Sequence, residues 1–357
     1  MAGAPTSNPI LVEALRGATR ESAHRGAVVV VDADGRRAVA LGDVERAVFP
    51  RSAVKLLQAI PLVESGAADR LELDDQELAI ACASHNGEPE HVAVVERMLA
   101  KAGLDVSALE CGTHWPRQGP VANAIAAEHR EPSALHNNCS GKHAGFLCLA
   151  CMLSGGGHVR QYAKGYVAPR HPVMRAITEA LQATTGHDLG NAPRGIDGCS
   201  IPTFAIPLDR LALAFARAGS GTGLRPGHAR AAARLRAAVA REPFMAAGSE
   251  RFDTQVMRAL GERVYCKVGA EAVFCAAFPE RGLGVAIKID DGNTARAAEV
   301  AMAATIEAFV ELDGDDAKLL AGLSNVRLRN WNGIEVGALC ATDELRESLG
   351  RGARASA

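Results

Sequence analysis

The stretch Phe49-Pro50-Arg51-Ser52-Ala53-Val54-Lys55-Leu56-Leu57-Gln58 predicts a helix that presents a serine and a lysine on one face. Pro50 suits the start of a helix, and residues 53–58 contain few helix breakers. Ser52 then sits in the first turn, and Lys55 lies one turn above it. A serine hydroxyl becomes a good nucleophile when a neighbouring neutral amine removes its proton. Ser52 and Lys55 are therefore a candidate nucleophile and base, although the same spacing also occurs at ordinary solvated helix starts.

Composition and length limit the classes of protein to consider. The chain has 357 residues, 48% of them hydrophobic, which is enough for one large domain or two closely packed ones. The net charge of -2 gives no electrostatic reason to expect nucleic acid or an acidic membrane surface as a partner. No apolar run reaches the length of a membrane span, and residues 1–9 lack the pattern of a signal peptide. We expect a soluble cytoplasmic protein that forms a single domain over residues 1–357.

Strand-like segments lie near both ends of the chain. Residues 27–42 contain two β-rich runs on either side of an Asp34-Gly35 turn, which predicts a hairpin. A second hairpin is predicted over residues 263–289, from the runs 264–278 and 284–289. Strands at both ends with helices between them predict an α/β (α+β) fold, in which one antiparallel sheet joins the two hairpins.

Helices are expected between and after the hairpins, and they would flank the sheet. The segments with helical patterns are 52–66, 89–102, 121–130, 144–153, 172–184, 207–217, 226–241 and 294–312. The charged and Ala/Gly-rich residues 344–357 are expected to form a frayed tail.

Three short motifs follow one another along the chain: Ser52-x-x-Lys55, Ser84-x-Asn86 and Lys267-x-Gly269. Together they match the ordered set of serine β-lactamases and penicillin-binding proteins. Gly269 would let a substrate lie close along its strand. The simpler interpretation of Lys267 is an edge-strand lysine that discourages aggregation. The first two motifs are only about thirty residues apart, which departs from the lactamase spacing.

A second cluster, Cys139-x-x-Lys142 and Asp197-Gly198-Cys199, has no counterpart in lactamases. Both cysteines sit in polar segments that contain glycine, and thiolates are good ligands for zinc. Two cysteines alone do not complete a tetrahedral site, and Lys142 could contribute only as a neutral amine. With no export signal, the nine cysteines are expected to be reduced thiols or metal ligands. The expected buried thiols are Cys82, Cys148, Cys151, Cys266 and Cys275.

The longer motifs resemble those of a known enzyme family. They are Phe49-Pro50-Arg51-Ser52-Ala53-Val54-Lys55, Ser84-His85-Asn86-Gly87-Glu88, His136-Asn137-Asn138-Cys139-Ser140-Gly141-Lys142-His143-Ala144-Gly145 and Ile196-Asp197-Gly198-Cys199. Over about residues 8–338 the chain resembles the rhizobial-type L-asparaginases, the third structural class, also called the asparaginase II family. The resemblance implies a serine-β-lactamase-like fold, a homodimer, and hydrolysis of L-asparagine to L-aspartate and ammonia.

The resemblance also implies a function for each motif. Ser52 would be the nucleophile and Lys55 its base, and Ser84 with Lys267 would form a second Ser–Lys pair that assists proton transfer. A zinc ion beside the substrate would be bound by Cys139, Lys142 and Cys199.

Several residues beside these motifs are candidates for substrate binding. Asp197 could hold the substrate's α-ammonium group, and Arg51 or a backbone nest could hold its α-carboxylate. The remaining candidates for substrate binding are His85, Asn86 and Gly269. We expect His85 and His143 to be hydrogen-bonding residues rather than the base, because the lysines already supply a base.

Other functions remain open from the sequence. The nearest are other amidohydrolases on the same fold, such as a glutaminase, a β-lactamase or a D-amino-acid peptidase. Glutamine has one methylene more than asparagine, which a pocket discriminates by only about 1–3 kcal/mol. A different class is a non-catalytic zinc-binding or thiol redox sensor that uses Cys139 and Cys199.

Overall fold

The computed structural model of the chain describes residues 7–116, 118–155 and 157–356. The chain divides into two compact units that interleave along the sequence. The sheet unit comprises residues up to 53, 205–223 and from 266 onward, and the helical unit comprises residues 54–204 and 224–265.

The strands are β1 (Ile10–Arg16), β2 (Thr19–Asp32), β3 (Arg37–Leu41), β4 (Ala47–Val48), β5 (Arg194–Ile196), β6 (Pro202–Phe204), β7 (Ile206–Pro207), β8 (Tyr265–Val268), β9 (Val273–Phe278), β10 (Leu283–Ile289), β11 (Asn325–Arg329) and β12 (Glu335–Ala341).

The helices are α1 (Lys55–Glu64), α2 (Ala67–Arg70), α3 (Asp75–Ala81), α4 (Pro89–Lys101), α5 (Gly119–Ala127), α6 (Ser140–Leu153), α7 (Val159–Ala163), α8 (Pro172–Thr185), α9 (Leu208–Ser220), α10 (Pro226–Arg241), α11 (Pro243–Ala247), α12 (Phe252–Leu260), α13 (Glu299–Phe309), α14 (Gly314–Ser324) and α15 (Asp343–Ala355). Each predicted helical segment overlaps one of these helices, usually within a few residues at each end.

The sheet unit is built on one antiparallel sheet with the strand order β11-β12-β1-β2-β10-β9-β8, and β3 also pairs with β2. The long strand β2 joins the two halves, because residues 19–25 pair with β1 and residues 26–32 pair with β10. Four consecutive valines, residues 28–31, are buried in its second half, where β-branched side chains pack well. The predicted joining of N- and C-terminal hairpins in one antiparallel sheet is confirmed.

The C-terminal hairpin differs from the prediction in one respect. The run 264–278 was expected to be continuous, but residues 269–272 separate it into β8 and β9. Glu271 and Ala272 have φ values of 54° and 53°, a left-handed conformation that a strand cannot continue through. The predicted turn of this hairpin forms at residues 279–282, where Gly282 has a φ of 62°.

The C-terminal residues do not form the frayed tail that we expected. Thr342 caps α15 by accepting a hydrogen bond from the backbone N–H of Leu345. Leu345 and Leu349 are completely buried, and the helix packs against β3, β1 and α13. The charged residues that suggested fraying lie on the solvent side of an amphipathic helix. Composition alone does not reveal the apolar residues that are buried on its other side.

The helical unit is organised around α1 and α6. Residues 55–62 of α1 are all buried, and this helix contacts α3, α6, α8 and α10. Residues 140–151 of α6 are also buried, which agrees with the buried helix predicted there. The small hairpin of β5 and β6 completes this unit. Among the residues that the structure describes, no helix has both the length and the hydropathy to cross a bilayer.

Helix α9 packs directly on β10, and Gly284 permits their close approach. A Cβ atom at this position would lie 2.0 Å from the carbonyl oxygen of Ala212 and 2.2 Å from the amide nitrogen of Ala216. Both neighbours are helix backbone, which cannot move aside as a flexible side chain can. The glycine therefore sets the distance between helix and sheet.

We predict that Gly284→Ala lowers the free energy of unfolding by about 1–3 kcal/mol, the usual cost of overpacking. Urea unfolding followed by circular dichroism measures the change. Gly322→Ala is the matched control, because a Cβ on this exposed glycine of α14 meets no other atom within 4 Å. The control should be neutral or slightly stabilising. An unchanged unfolding midpoint for Gly284→Ala would contradict the close packing described.

Candidate active site

Lys55 is the first residue of α1 and is only 1% exposed. Its Nζ atom lies 2.9 Å from the hydroxyl oxygen of Ser84 and 3.4 Å from the carbonyl oxygen of Asn138. It also donates a short hydrogen bond to the carbonyl oxygen of Ala83. The amine therefore contacts two carbonyl oxygens and one hydroxyl, and the Cys139 sulfur is a further hydrogen-bond partner.

The surroundings of the Lys55 amine act on its pKa in opposite directions, and burial prevails. Burial lowers the pKa of Lys55 below its ordinary value of 10.5, and the charge on Lys142 acts in the same direction, whereas the sulfur of Cys139 opposes them. A carbonyl oxygen can only accept a hydrogen bond, while a hydroxyl can accept or donate one. In its neutral form the amine can point N–H groups to Ala83 and Asn138 and its lone pair to the hydroxyl proton of Ser84, whereas its ammonium form can also donate to the Cys139 sulfur.

Ser84 lies at the start of a buried turn that follows α3. Its backbone N–H donates to the carbonyl oxygen of Ala246 at 3.0 Å. Two residues on, the Asn86 side chain donates to Glu88 and to the carbonyl oxygen of Ser249, both at 3.1 Å. These bonds hold the turn against α11 and the residues that follow it. Asn86 is thus already engaged in positioning Ser84, whatever contact it makes with a substrate.

His85 connects the same turn to α6. Its Nδ1 accepts a hydrogen bond from the backbone N–H of Gly87 at 3.1 Å, so the ring proton lies on Nε2, which is 2.9 Å from the hydroxyl of Ser140. Burial holds the pKa of His85 well below its ordinary 6.5, so the ring is neutral. Both ring nitrogens are occupied, which agrees with the hydrogen-bonding function predicted for His85.

The cysteine cluster lies at the start of α6. Cys139 occupies the N-cap position of this helix without a side-chain cap, and Lys142 lies in its first turn. Lys142 Nζ is 3.0 Å from the sulfur of Cys199, which comes from the turn between β5 and β6. All three side chains are buried, being at most 5% exposed. The structure thus brings together the three residues that were predicted as metal ligands.

The charges in this cluster are shared. A hydrogen bond from Cys199 and the nearby lysines hold the pKa of Cys139 well below its ordinary 9.0, despite burial. The pKa of Cys199 is raised, because its proton is held by Cys139 and because it is buried. Burial lowers the pKa of Lys142, but the negative sulfurs raise it by more. The pair of thiols therefore holds one proton between them, beside an ammonium group.

The donor atoms present are compatible with zinc. Two sulfurs and one amine converge, and among the described residues no three His, Cys, Asp or Glu side chains converge as a metal site. A metal here therefore needs Lys142. Cys139, Lys142 and Cys199 are the residues that would hold such an ion.

Asp197 begins the turn that carries Cys199. Its Oδ1 accepts a hydrogen bond from the N–H of Gly198 at 2.7 Å, and its backbone oxygen accepts one from Ser200 at 2.9 Å. Its charge acts on the neighbouring cluster, because it contributes to the raised pKa values of Lys142 and Cys199.

Ser52 lies in the sheet unit, in a 3₁₀ turn, Arg51–Val54, that leads directly into α1. The preceding residue, Arg51, has a φ of 50°, which is unfavourable for a residue other than glycine. Strained backbone of this kind occurs often at functional sites. The predicted helix therefore starts at Lys55, and Ser52 lies in the tighter turn before it.

Lys267 and Gly269 also belong to the sheet unit. Lys267 is 1% exposed, and its Nζ donates to the carbonyl oxygen of Val268 at 2.9 Å. Because it is buried, Lys267 is not the solvated edge-strand lysine of the simpler interpretation. A Cβ at Gly269 would lie 2.6 Å from the carbonyl oxygen of Pro50 and 3.2 Å from Ala53 Cβ. Gly269 thus makes room for the turn that carries Ser52.

Known proteins resemble this chain to different degrees. A family model for L-asparaginase II matches residues 12–341, nearly the whole chain. The chain belongs to the L-asparaginase II family. Membership of this family confirms the resemblance.

The other comparisons give only distant likenesses. No match is found among curated proteins. Similar solved structures include Mglu in its native form, with a TM-score of 0.32 and 17% identity, covering 77% of this chain and 61% of that one. A β-lactamase from Mycobacterium bovis has a TM-score of 0.34 and 16% identity, covering 77% of this chain and 90% of that one. The chain thus spans about three fifths of the first structure, and at these TM-scores neither likeness supports an argument.

Some residues of the candidate site were not found from the sequence. The contact of Lys55 with Ser84 was missed, because the predictions paired Lys55 with Ser52 and Ser84 with Lys267. Glu88 and Arg251 were missed as well. Glu88 is 8% exposed and accepts hydrogen bonds from the backbone and hydroxyl of Ser249 at 2.8 and 2.7 Å. The available signal in the sequence was an acidic residue directly before the proline that starts a helix.

We predict that Glu88→Gln lowers the free energy of unfolding by about 1–3 kcal/mol at neutral pH, because its new amide N–H₂ opposes a donor of Ser249. Burial raises the pKa of Glu88, but the hydrogen bonds from Ser249 and Asn86 lower it by more, to below 4.5. A depressed pKa stabilises the fold above the unfolded-state value, and this stability is lost as the pH falls through the folded-state pKa. The difference from wild type should therefore shrink below pH 4.5.

Urea unfolding at neutral pH and at pH values below 4.5 measures both effects. The control is Glu90→Gln, which removes a charge from an exposed residue of the first turn of α4. A difference between wild type and Glu88→Gln that stays constant with pH would show that the charge of Glu88 is not what stabilises the turn.

Proposed function

We propose that this protein hydrolyses the side-chain amide of L-asparagine to give L-aspartate and ammonia, with a serine nucleophile activated by Lys55. The observation that supports this most is the buried Lys55 amine, which lies between two carbonyl oxygens and 2.9 Å from a serine hydroxyl. Such an amine is disposed to take a proton from a hydroxyl and to return it later. Family membership supports the amide as the bond cleaved.

In the proposed reaction, Ser52 Oγ attacks the amide carbonyl carbon and its proton passes to neutral Lys55. The tetrahedral intermediate then expels ammonia, which takes that proton and leaves an aspartyl ester on Ser52. Water attacks the ester, its proton again passes to Lys55, and aspartate leaves as the Ser52 hydroxyl is restored. Ser52 lies three residues before Lys55, and the first backbone N–H groups of the helix are suited to stabilise the negative oxygen.

Ser84 is proposed to relay protons rather than to form the ester. Its hydroxyl is 2.9 Å from Lys55 Nζ, so it can donate to the neutral amine or accept from the ammonium. The family resemblance adds Lys267 as the second amine of this relay. The contact between Lys55 and Ser84 supports a linked system rather than two separate Ser–Lys pairs.

We further propose that Cys139, Lys142 and Cys199 hold a zinc ion. The convergence and burial of two thiols and an amine support this assignment. A bound zinc would supply positive charge beside the substrate and would position it, and Asp197 next to this cluster would hold the substrate's α-ammonium group. A homodimer and a cytoplasmic location remain proposals that rest on the family resemblance.

Ser52→Ala and Lys55→Ala should each lower kcat/KM for L-asparagine by at least about 10²–10⁴-fold, because each removes a reacting group. Ser84→Ala should lower kcat by less, and Lys267→Ala should lower kcat more than it raises KM. Ammonia release is measured with L-asparagine and with L-glutamine at equal concentration, alongside circular dichroism to confirm folding.

The exposed Lys318 provides a control substitution, Lys318→Ala, that should leave kcat/KM unchanged. Near-wild-type turnover in Ser52→Ala or Lys55→Ala would remove the function assigned to that residue. Faster release of ammonia from L-glutamine would instead identify a glutaminase.

Cys139→Ala and Cys199→Ala should each abolish zinc binding, since each leaves the ion with one sulfur and one nitrogen from this cluster. Metal analysis of purified and dialysed protein measures the zinc content per chain. Cys340→Ala is the control, because Cys340 lies on β12 in the sheet unit. Zinc content that is the same in all three variants as in wild type would show that the ligands lie elsewhere.

A further inference from the structure

We propose that Arg251 binds the α-carboxylate of the amino-acid substrate. This inference rests on the proposed hydrolysis of asparagine and adds a binding residue that the motifs did not identify. Arg251 directly precedes α12 and is partly exposed, so a ligand can reach it.

The guanidinium of Arg251 lies beside the Ser84 turn. Its Nη1 is 3.4 Å from the carbonyl oxygen of Ser84 and 3.3 Å from Oδ1 of Asn86, both of which are long hydrogen bonds. Among the residues that the structure describes, Nε and Nη2 of Arg251 make no hydrogen bond, and no carboxylate lies within ion-pair distance. The positive group is therefore held in place through one nitrogen while its other two remain available.

Nε and Nη2 are the pair that binds a carboxylate side-on, with two parallel hydrogen bonds. Arg241 of the same unit shows this geometry, since its Nε and Nη2 bind the two oxygens of Asp75 at 2.6 and 2.9 Å. Arg251 presents the same two donors without a partner from the described protein. A free carboxylate is the ligand that these two donors match.

The nearest carboxylate in this network, Glu88, is kept apart from Arg251 by the Asn86 side chain. Asn86 Oδ1 accepts a hydrogen bond from Arg251, and Asn86 Nδ2 donates one to Glu88. Glu88 is itself engaged by Ser249. The buried acid therefore orients Arg251 through Asn86 without occupying the side of the guanidinium that can bind a ligand.

The dimensions of asparagine agree with this placement. Three carbon–carbon bonds of about 1.5 Å separate its α-carboxylate carbon from its amide carbon, which spans at most about 4 Å. A substrate anchored on Arg251 therefore places its amide within a few ångströms of the Ser84 turn. Binding at Arg251 also selects an α-amino acid over a simple amide.

The test compares two competitive inhibitors of L-asparagine hydrolysis in wild type, Arg251→Gln and Arg251→Lys. L-Aspartate carries the α-carboxylate, and β-alanine is the same molecule without it. Loss of a charge-assisted pair typically costs about 10- to 100-fold in binding. We expect Arg251→Gln to raise the KM for asparagine and the Ki of aspartate by this factor, while the Ki of β-alanine changes by less than about twofold.

Arg251→Lys keeps the charge but loses the parallel donors, so it should give an intermediate effect, and it serves alone if Arg251→Gln does not fold. Arg258→Gln, on the exposed side of α12, is the matched control and should change neither inhibitor. Equal changes in both Ki values, or no change in either, would overturn the inference. A wild type that does not hydrolyse asparagine would instead refute the proposed function.

Discussion

The structure of the candidate site depends on the burial of one lysine amine. A buried amine needs hydrogen-bond acceptors, and Lys55 meets two carbonyl oxygens and a hydroxyl, while burial lowers its pKa. The first carbonyl follows α3, and the second precedes α6. Helices α1, α3 and α6 must therefore pack in one arrangement for this amine to be accommodated. The extensive burial of α1 and α6 in the helical unit is the framework that makes this arrangement stable.

Close backbone contacts form a second constraint, on the side of the sheet unit. Arg51 adopts a left-handed conformation immediately before Ser52. At position 269 only glycine fits, because a Cβ atom there would collide with the carbonyl oxygen of Pro50. Each feature carries a local cost, of the order of 1 kcal/mol for a left-handed residue other than glycine. The packed sheet, with β10 and the second half of β2 buried, supplies the stability that offsets these costs. The turn of Ser52 is thus held in a conformation that the local sequence alone would not adopt.

Much of the fold follows from the sequence, because it depends on local patterns. The hairpins, the long helices and the buried cysteines could all be read from periodicity, turn residues and polarity. The hydrogen-bond acceptors of Lys55 could not be predicted, because Ala83 and Asn138 lie 28 and 83 residues away and are brought to it only by tertiary packing. Arg251 was not predicted as a site residue for the same reason, because it is 167 residues from Ser84. The break in the strand at residues 269–272 and the helix α15 were missed because backbone conformation and burial overrode composition there.

The central claim is that a serine activated by Lys55 forms an ester with the substrate. Rapid acid quench of the protein with L-asparagine, followed by mass spectrometry of its peptides, tests this most directly. We expect an aspartyl ester on the peptide that contains Ser52, and none in Lys55→Ala under the same conditions. Turnover of asparagine without any serine ester, or an ester that forms equally well in Lys55→Ala, would contradict it.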